Sequence, residues 1–188
     1  MEKIADYTGR MLTHVETLYR PGERALALEV AEALGCAVTD TGFKGDHGET
    51  FLAVHPNPGD RNVGANVFYM SQMTPEQDAL EQRLARLRDE DSEFRADLDA
   101  FRGKARSRPF GVPHFALRYD SAEAIEAAAA KIEGELAPKL GDRMHFRIYR
   151  PGDADAAGGD VIQAFLHQDV IVSGSFLHGQ LIELQAHP

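Results

Sequence analysis

The sequence predicts an α+β fold made of two paired βαβββ modules. Three observations carry this reading. The order strand, helix, three strands occurs twice. Each copy opens with a histidine inside its first strand, Thr13-His14-Val15 and Pro113-His114-Phe115. A charged helical segment with its own start signal separates the copies. An internal repeat of this size says more about architecture than any single motif.

Each element follows from local chemistry. Residues 11–19 alternate, with Thr13, Val15, Thr17 and Tyr19 on one face and His14, Glu16 and Leu18 on the other. Pro21-Gly22 breaks the strand. In the helix that follows, residues 23–34, Leu26, Val30 and Leu34 recur on one face, and Gly35 supplies the C-terminal stop. Residues 36–41, 49–55 and 63–71 then read as strands between Gly-, Asp-, Asn- and Pro-rich turns. In the second copy, residues 112–119 form the first strand. Ser121 caps a helix rich in alanine and glutamate over residues 121–133, with Gly134 and Pro138 beyond its end. Strands at 145–149, 161–172 (broken near Gln168-Asp169) and 180–185 complete it. The modules span residues 10–73 and 109–188, and the whole chain forms one domain.

Residues 74–106 form the connecting helix. Thr74-Pro75-Glu76 is a helix start, and Gly103 is a stop. Leu80, Leu84, Leu87, Phe94, Leu98 and Phe101 fall on a heptad-like stripe in which Asp91 is the one defect. Such a helix either docks on the outside of the domain or forms a homodimer contact.

Composition narrows the partners. The chain has 188 residues, 30 acidic and 20 basic side chains, and a formal net charge of −10. That field repels polyanions, so nucleic acid is not an expected partner. No apolar run approaches the ~18–20 residues of a membrane span, and no secretory signal is evident. The only cysteine, Cys36, permits neither an intrachain disulfide nor a thiolate zinc knuckle, which suits a reducing, cytoplasmic setting. Gly158-Gly159 has no following lysine and helix, which argues against a phosphate-binding loop.

Three residues carry the chemistry. Side-chain alternation puts Ile182 and Leu184 toward the helices, and Leu181, Glu183 and Gln185 on the opposite, concave face. His14 shares a face with Glu16 and Leu18; His114 shares one with Val112, Ala116 and Arg118. If the modules pair into one curved eight-stranded sheet, His14, His114 and Glu183 converge. Two imidazoles and one carboxylate on one side of an ion is the arrangement of non-haem Fe(II) oxygenases. Taken alone, each histidine reads first as a hydrogen-bonded strand residue; the two at equivalent repeat positions, joined by Glu183, read as a metal site. His47, His55, His145 and His187 read as loop or strand-end residues. Glu16 is a partner of a ligand or an exposed carboxylate. Arg118 greets an anionic substrate or forms a structural ion pair.

The chain resembles the vicinal oxygen chelate superfamily of glyoxalases, type I extradiol dioxygenases and bleomycin-resistance proteins. The resemblance lies in Thr13-His14-Val15 with Pro21-Gly22-Glu23-Arg24-Ala25-Leu26 and Ala33-Leu34-Gly35. In the second half it lies in Pro113-His114-Phe115-Ala116-Leu117 and Gly179-Gln180-Leu181-Ile182-Glu183-Leu184. It covers about three quarters of the chain. The resemblance implies a metal site of His14, His114 and Glu183, with Fe(II) the preferred ion and Mn(II) next. Aligning Gly64-Ala65-Asn66-Val67-Phe68-Tyr69 with the closing motif sets Phe68 opposite Glu183, where a fourth ligand would stand in a glyoxalase. That loss resembles the extradiol pattern and implies a catechol-like substrate. Ser173 stands where such enzymes carry a tyrosine, and His167 and His178 are the candidate acid–base residues, with Arg118 as a substrate contact. Two alternatives are a metal-free ligand-sequestering protein of bleomycin-resistance type and a glyoxalase-like lyase or isomerase using Tyr69 or Gln72.

Overall fold

A computed structural model of the chain describes residues 13–45, 49–154, 156 and 161–186. His47, His187 and the Gly158-Gly159 turn lie outside the described residues. The first module comprises β1 (His14–Tyr19), α1 (Arg24–Ala33), β2 (Ala37–Lys44), β3 (Thr50–His55) and β4 (Val67–Gln72). The second comprises β5 (His114–Arg118), α4 (Ala122–Lys131), β6 (Met144–Tyr149), β7 (Ile162–Gln168) and β8 (Gln180–Ala186). Each forms a four-stranded mixed sheet, ordered β1-β4-β3-β2 and β5-β8-β7-β6, in which first and last strands pair in parallel. The repeat therefore extends from element order to strand order. An antiparallel bridge between Leu18 and Val172 links the two sheets, with N–O distances of 2.8 and 3.0 Å.

One apolar core serves both modules. Tyr19, Leu52, Val54, Phe68 and Met70 from the first sheet and Leu166, Ile182 and Leu184 from the second face the helices. Val30 of α1 and Ile125 of α4 are fully buried in it. Polar clamps close the seam between modules. Arg143 holds both carboxylate oxygens of Glu23 at 2.8 and 3.0 Å, and Asp169 bridges Arg20 and Arg143. Cys36 is buried beneath α1, and that burial pushes its thiol up to about 12. It is a packing residue.

Two helical expectations need correction. The chain between the modules is not one helix but two, α2 (Pro75–Glu90) and α3 (Ser92–Ser107). Asp91 causes the break: its Oδ1 accepts from the backbone N–H groups of Glu93 and Phe94, so it caps a new helix. Gly103 lies inside α3. The second correction concerns Gly134 and Pro138. After α4 the chain makes a π-helical turn, Ile132–Leu136, and a final α-turn, Ala137–Leu140. The wider turn accommodates a proline that has no N–H to donate. Ile132, Leu136 and Leu140 are buried there, so packing holds helical a segment whose local signals say stop.

Position also differs from expectation for α3. Its Ala105 packs with Val112, Tyr149, Phe165 and Leu181, on the sheet face opposite α4. Ser107 accepts hydrogen bonds from Arg147 and Tyr149 of β6. Thus α3 roofs part of the face that strand alternation leaves open as a cup. Helix α2, in contrast, buries none of its residues. Among the described residues, no helix is long and apolar enough to cross a membrane.

Candidate functional site

Strand β5 lies beside β8, with His114 opposite Leu181 and Ala116 opposite Glu183. His114 and Glu183 therefore sit diagonally on one face. The His114 Nε2 lies 3.0 Å from Glu183 Oε2, and its Nδ1 lies 2.7 Å from the carbonyl oxygen of Val112. The other carboxylate oxygen accepts from Gln163 Nε2 at 2.6 Å. Only 9% of the Glu183 side chain is exposed, against 26% for His114. The pair is thus rooted in the sheet at the carboxylate and open at the imidazole. Phe165 meets the His114 ring edge-on at 6.0 Å between centroids, fixing its tilt.

The first module holds the same arrangement in altered chemistry. His14 is opposite Val67 and Glu16 is opposite Tyr69, so Tyr69 is the register equivalent of Glu183. The alignment of Phe68 with Glu183 is off by one. Phe68 matches Ile182 in the register, and both point into the shared core. A one-residue slip moves every side chain to the other face of a strand. His14 and Tyr69 lie with ring centroids 5.0 Å apart, and the Tyr69 hydroxyl donates to the carbonyl of Val63. Glu16 accepts from Ser71 Oγ at 2.8 Å.

His114 and Glu183 are donors of the right type for a divalent ion, and their 3.0 Å separation suits neighbouring ligands. His14, however, rests on Tyr69. Among the described residues, no group of three or more His, Cys, Asp or Glu side chains is placed to hold one ion. The donor set as arranged offers two ligands and not a facial three.

Beside the pair lies a cavity of about 480 Å³. Val15 of β1, Phe101 and Ala105 of α3, Phe115 of β5, Leu181 of β8 and the segment around Gly174 wall it, and His114 stands at its side. That volume is in the range of small-molecule sites. Helix α2 holds the 174–177 segment in place: Glu81 Oε2 accepts from Ser175 Oγ at 3.0 Å and Leu177 N at 3.2 Å. Ser173 donates to Gln180 Oε1 at 2.6 Å, so it too fixes the wall.

The remaining candidates separate. His167 lines the cavity but is only 3% exposed, and its Nε2 donates to the His178 carbonyl at 2.9 Å. Burial holds its pKa below the ordinary histidine value. His178 is exposed at the rim, edge-on to Phe101 at 5.7 Å. Arg118 is exposed on the face that carries His114. His55, expected as a strand-end surface residue, is 1% exposed and bonded to Thr39 Oγ1 at 3.0 Å. It stands two residues past Ala53, as His167 stands two past Phe165, and Ala53 and Phe165 pair with Tyr69 and Glu183 respectively. The repeat thus includes a second histidine pair, legible as His55 and His167 only once the strands are in register. Comparison with family models, with curated proteins and with solved structures gives no match to this chain.

Proposed function

We propose that the protein binds a small, largely apolar molecule in the cavity between β1, β5, β8 and α3, after the manner of a bleomycin-resistance-type ligand-sequestering protein. The observation that carries this reading is the cavity itself: about 480 Å³, with mostly apolar walls and His114 at its side. An apolar body supplies affinity by leaving water, and a few polar groups fix its orientation. The His114–Glu183–Gln163 chain serves as the orienting group, because a buried carboxylate bonded to the imidazole fixes the ring in place. In this reading the two sheets, bridged at Leu18 and Val172, act as halves of one curved eight-stranded sheet. The setting is cytoplasmic, and neither nucleic acid nor membrane is a partner.

The second reading is a metal-dependent enzyme of extradiol dioxygenase type, using His14, His114 and Glu183 with Fe(II) or Mn(II) on a catechol-like substrate. The favouring observation is the 3.0 Å approach of His114 Nε2 to Glu183 Oε2; His14 would have to leave Tyr69 to complete the set. A bound ion would supply a Lewis-acidic centre for a catechol and dioxygen. One experiment separates the readings. Purified chain, incubated anaerobically with Fe(II) and desalted, is assayed for metal and then for binding of apolar aromatic probes. Probe binding without retained metal supports sequestration. One Fe(II) per chain, lost in His114→Ala and accompanied by oxygen uptake with catechol, replaces it with the enzyme.

A further inference from the structure

Behind the Ala105 and His167 wall of the cavity stand two arginines and a second histidine that do not themselves line it. Arg102 and Arg106 are four residues apart on α3, one turn of helix, flanking the buried Ala105 that packs on the sheet. Beneath them lie His145 and His167, which are direct cross-strand partners on β6 and β7. Arg106 donates through Nη2 to the carbonyl of Asp142 at 3.0 Å. The Nε–H groups of both arginines are nevertheless buried and unpartnered among the described residues. Such orphaned donors are rare in folded proteins and call for a partner.

Two carboxylates favour the charge on Arg102: Asp99, three residues earlier on α3, and Asp169, which is already engaged. Asp169 is bonded to Arg20 and Arg143, and no described ion pair joins a carboxylate to Arg102 or Arg106. Burial and the neighbouring Arg106 both work against the charge on Arg102, and both arginines depress His167. Like charges gathered under a helix, with their donors unused, are a cost that a bound anion removes. His167 and Ala105 belong at once to this cluster and to the cavity wall.

We propose that Arg102 and Arg106, beside His145 and His167, form an anion-binding subsite adjoining the cavity, reached past the Ala105 and His167 side chains that they share a border with, so that the preferred ligand is an apolar body carrying a carboxylate or phosphate. This rests on the reading of the cavity as a ligand site. The planar guanidinium fork matches both groups, and the apolar wall accepts the remainder.

Calorimetric titration of the full chain with benzoate, benzyl alcohol and inorganic phosphate tests it. Benzoate is expected to bind about tenfold more tightly than benzyl alcohol, the gain of one charge-assisted contact. Arg102→Gln abolishes that advantage and leaves benzyl alcohol unchanged, whereas Arg102→Lys restores part of it. The buried Nε–H of Arg102 is unpartnered among the described residues, and an unchanged melting temperature of the variant checks that the fold is kept. Arg106→Gln, checked for an unchanged melting temperature, is the second variant. Equal binding of benzoate and alcohol overturns the subsite and keeps the cavity reading. Phosphate binding that depends on Arg102, with neither aromatic probe bound, keeps the subsite and overturns the cavity reading. No binding by any probe overturns both.

Discussion

Tyr69 occupies in the first module the place that Glu183 occupies in the second. Each lies on the last strand, diagonal to the histidine that opens its module, and each meets that histidine: ring on ring at 5.0 Å for Tyr69, a 3.0 Å contact for Glu183. The repeat has kept the geometry and divided the chemistry. Only the second copy presents a carboxylate, and only that copy adjoins the cavity through its histidine.

Removing that carboxylate costs stability as well as polarity. Glu183→Ala leaves Gln163 Nε2 and His114 Nε2 without their partner in a nearly closed site. An expected loss of about 2 kcal/mol follows from unsatisfied buried groups. His114→Ala costs less, because its ring is a quarter exposed. Urea unfolding of both variants measures the difference, and a larger loss for His114→Ala contradicts it.

Gly179 admits no side chain. Its φ is +75°, and a Cβ there would lie 2.9 Å from the Gln168 carbonyl oxygen and 2.9 Å from the His167 ring. Gly179→Ala strains the backbone and displaces the imidazole that lines the cavity, at an expected cost of about 1–3 kcal/mol. The melting temperature and the affinity for aromatic probes fall together.

Acid destabilises the fold through its histidines. His55, His145 and His167 all have pKa values lowered from 6.5, with burial as the largest cause. The native state therefore binds fewer protons than the unfolded chain once pH drops below that value. Stability is complete above about pH 6.5 and is lost as pH falls through the lowered native values. Melting curves from pH 8 to pH 5 show this decline, and His55→Gln with His167→Gln makes it shallower.

The break between α2 and α3 depends on one carboxylate. Asp91→Ala removes both bonds to Glu93 N and Phe94 N and costs about 1 kcal/mol, the usual worth of a cap. Chemical denaturation reads this loss. No change would mean that packing of Ala105 and Leu98 alone seats α3.

Periodicity read along the chain found the strands of both modules and the starts of their helices within a few residues, including the break of the seventh strand near Gln168. It ended the second module's helix, however, before the turns that run to Leu140. It also assigned Ile182 and Leu184 to the core and Glu183 to the opposite face, because alternation in a strand is a local property. Cap chemistry was less legible. Asp91 interrupts a heptad stripe, but only its bonds to the following N–H groups show it to be the start of a second helix.

Register and packing lie outside what one strand records about itself. Phe68 and Tyr69 are equally good matches to Glu183 by composition, and hydrogen bonding to the first strand selects Tyr69. His55 and His167 are ordinary histidines in the sequence, and burial under neighbouring segments makes them a pair. What the amino-acid order determined alone was the duplicated βαβββ pattern, the faces of its strands and the exclusion of a disulfide within these 188 residues. Tertiary structure decided that α3 roofs the second sheet, that Arg102 and Arg106 meet His145 and His167, and that His114 joins Glu183 while His14 rests on Tyr69. Those contacts join residues tens of positions apart, so their energies depend on how the modules dock and not on any local propensity.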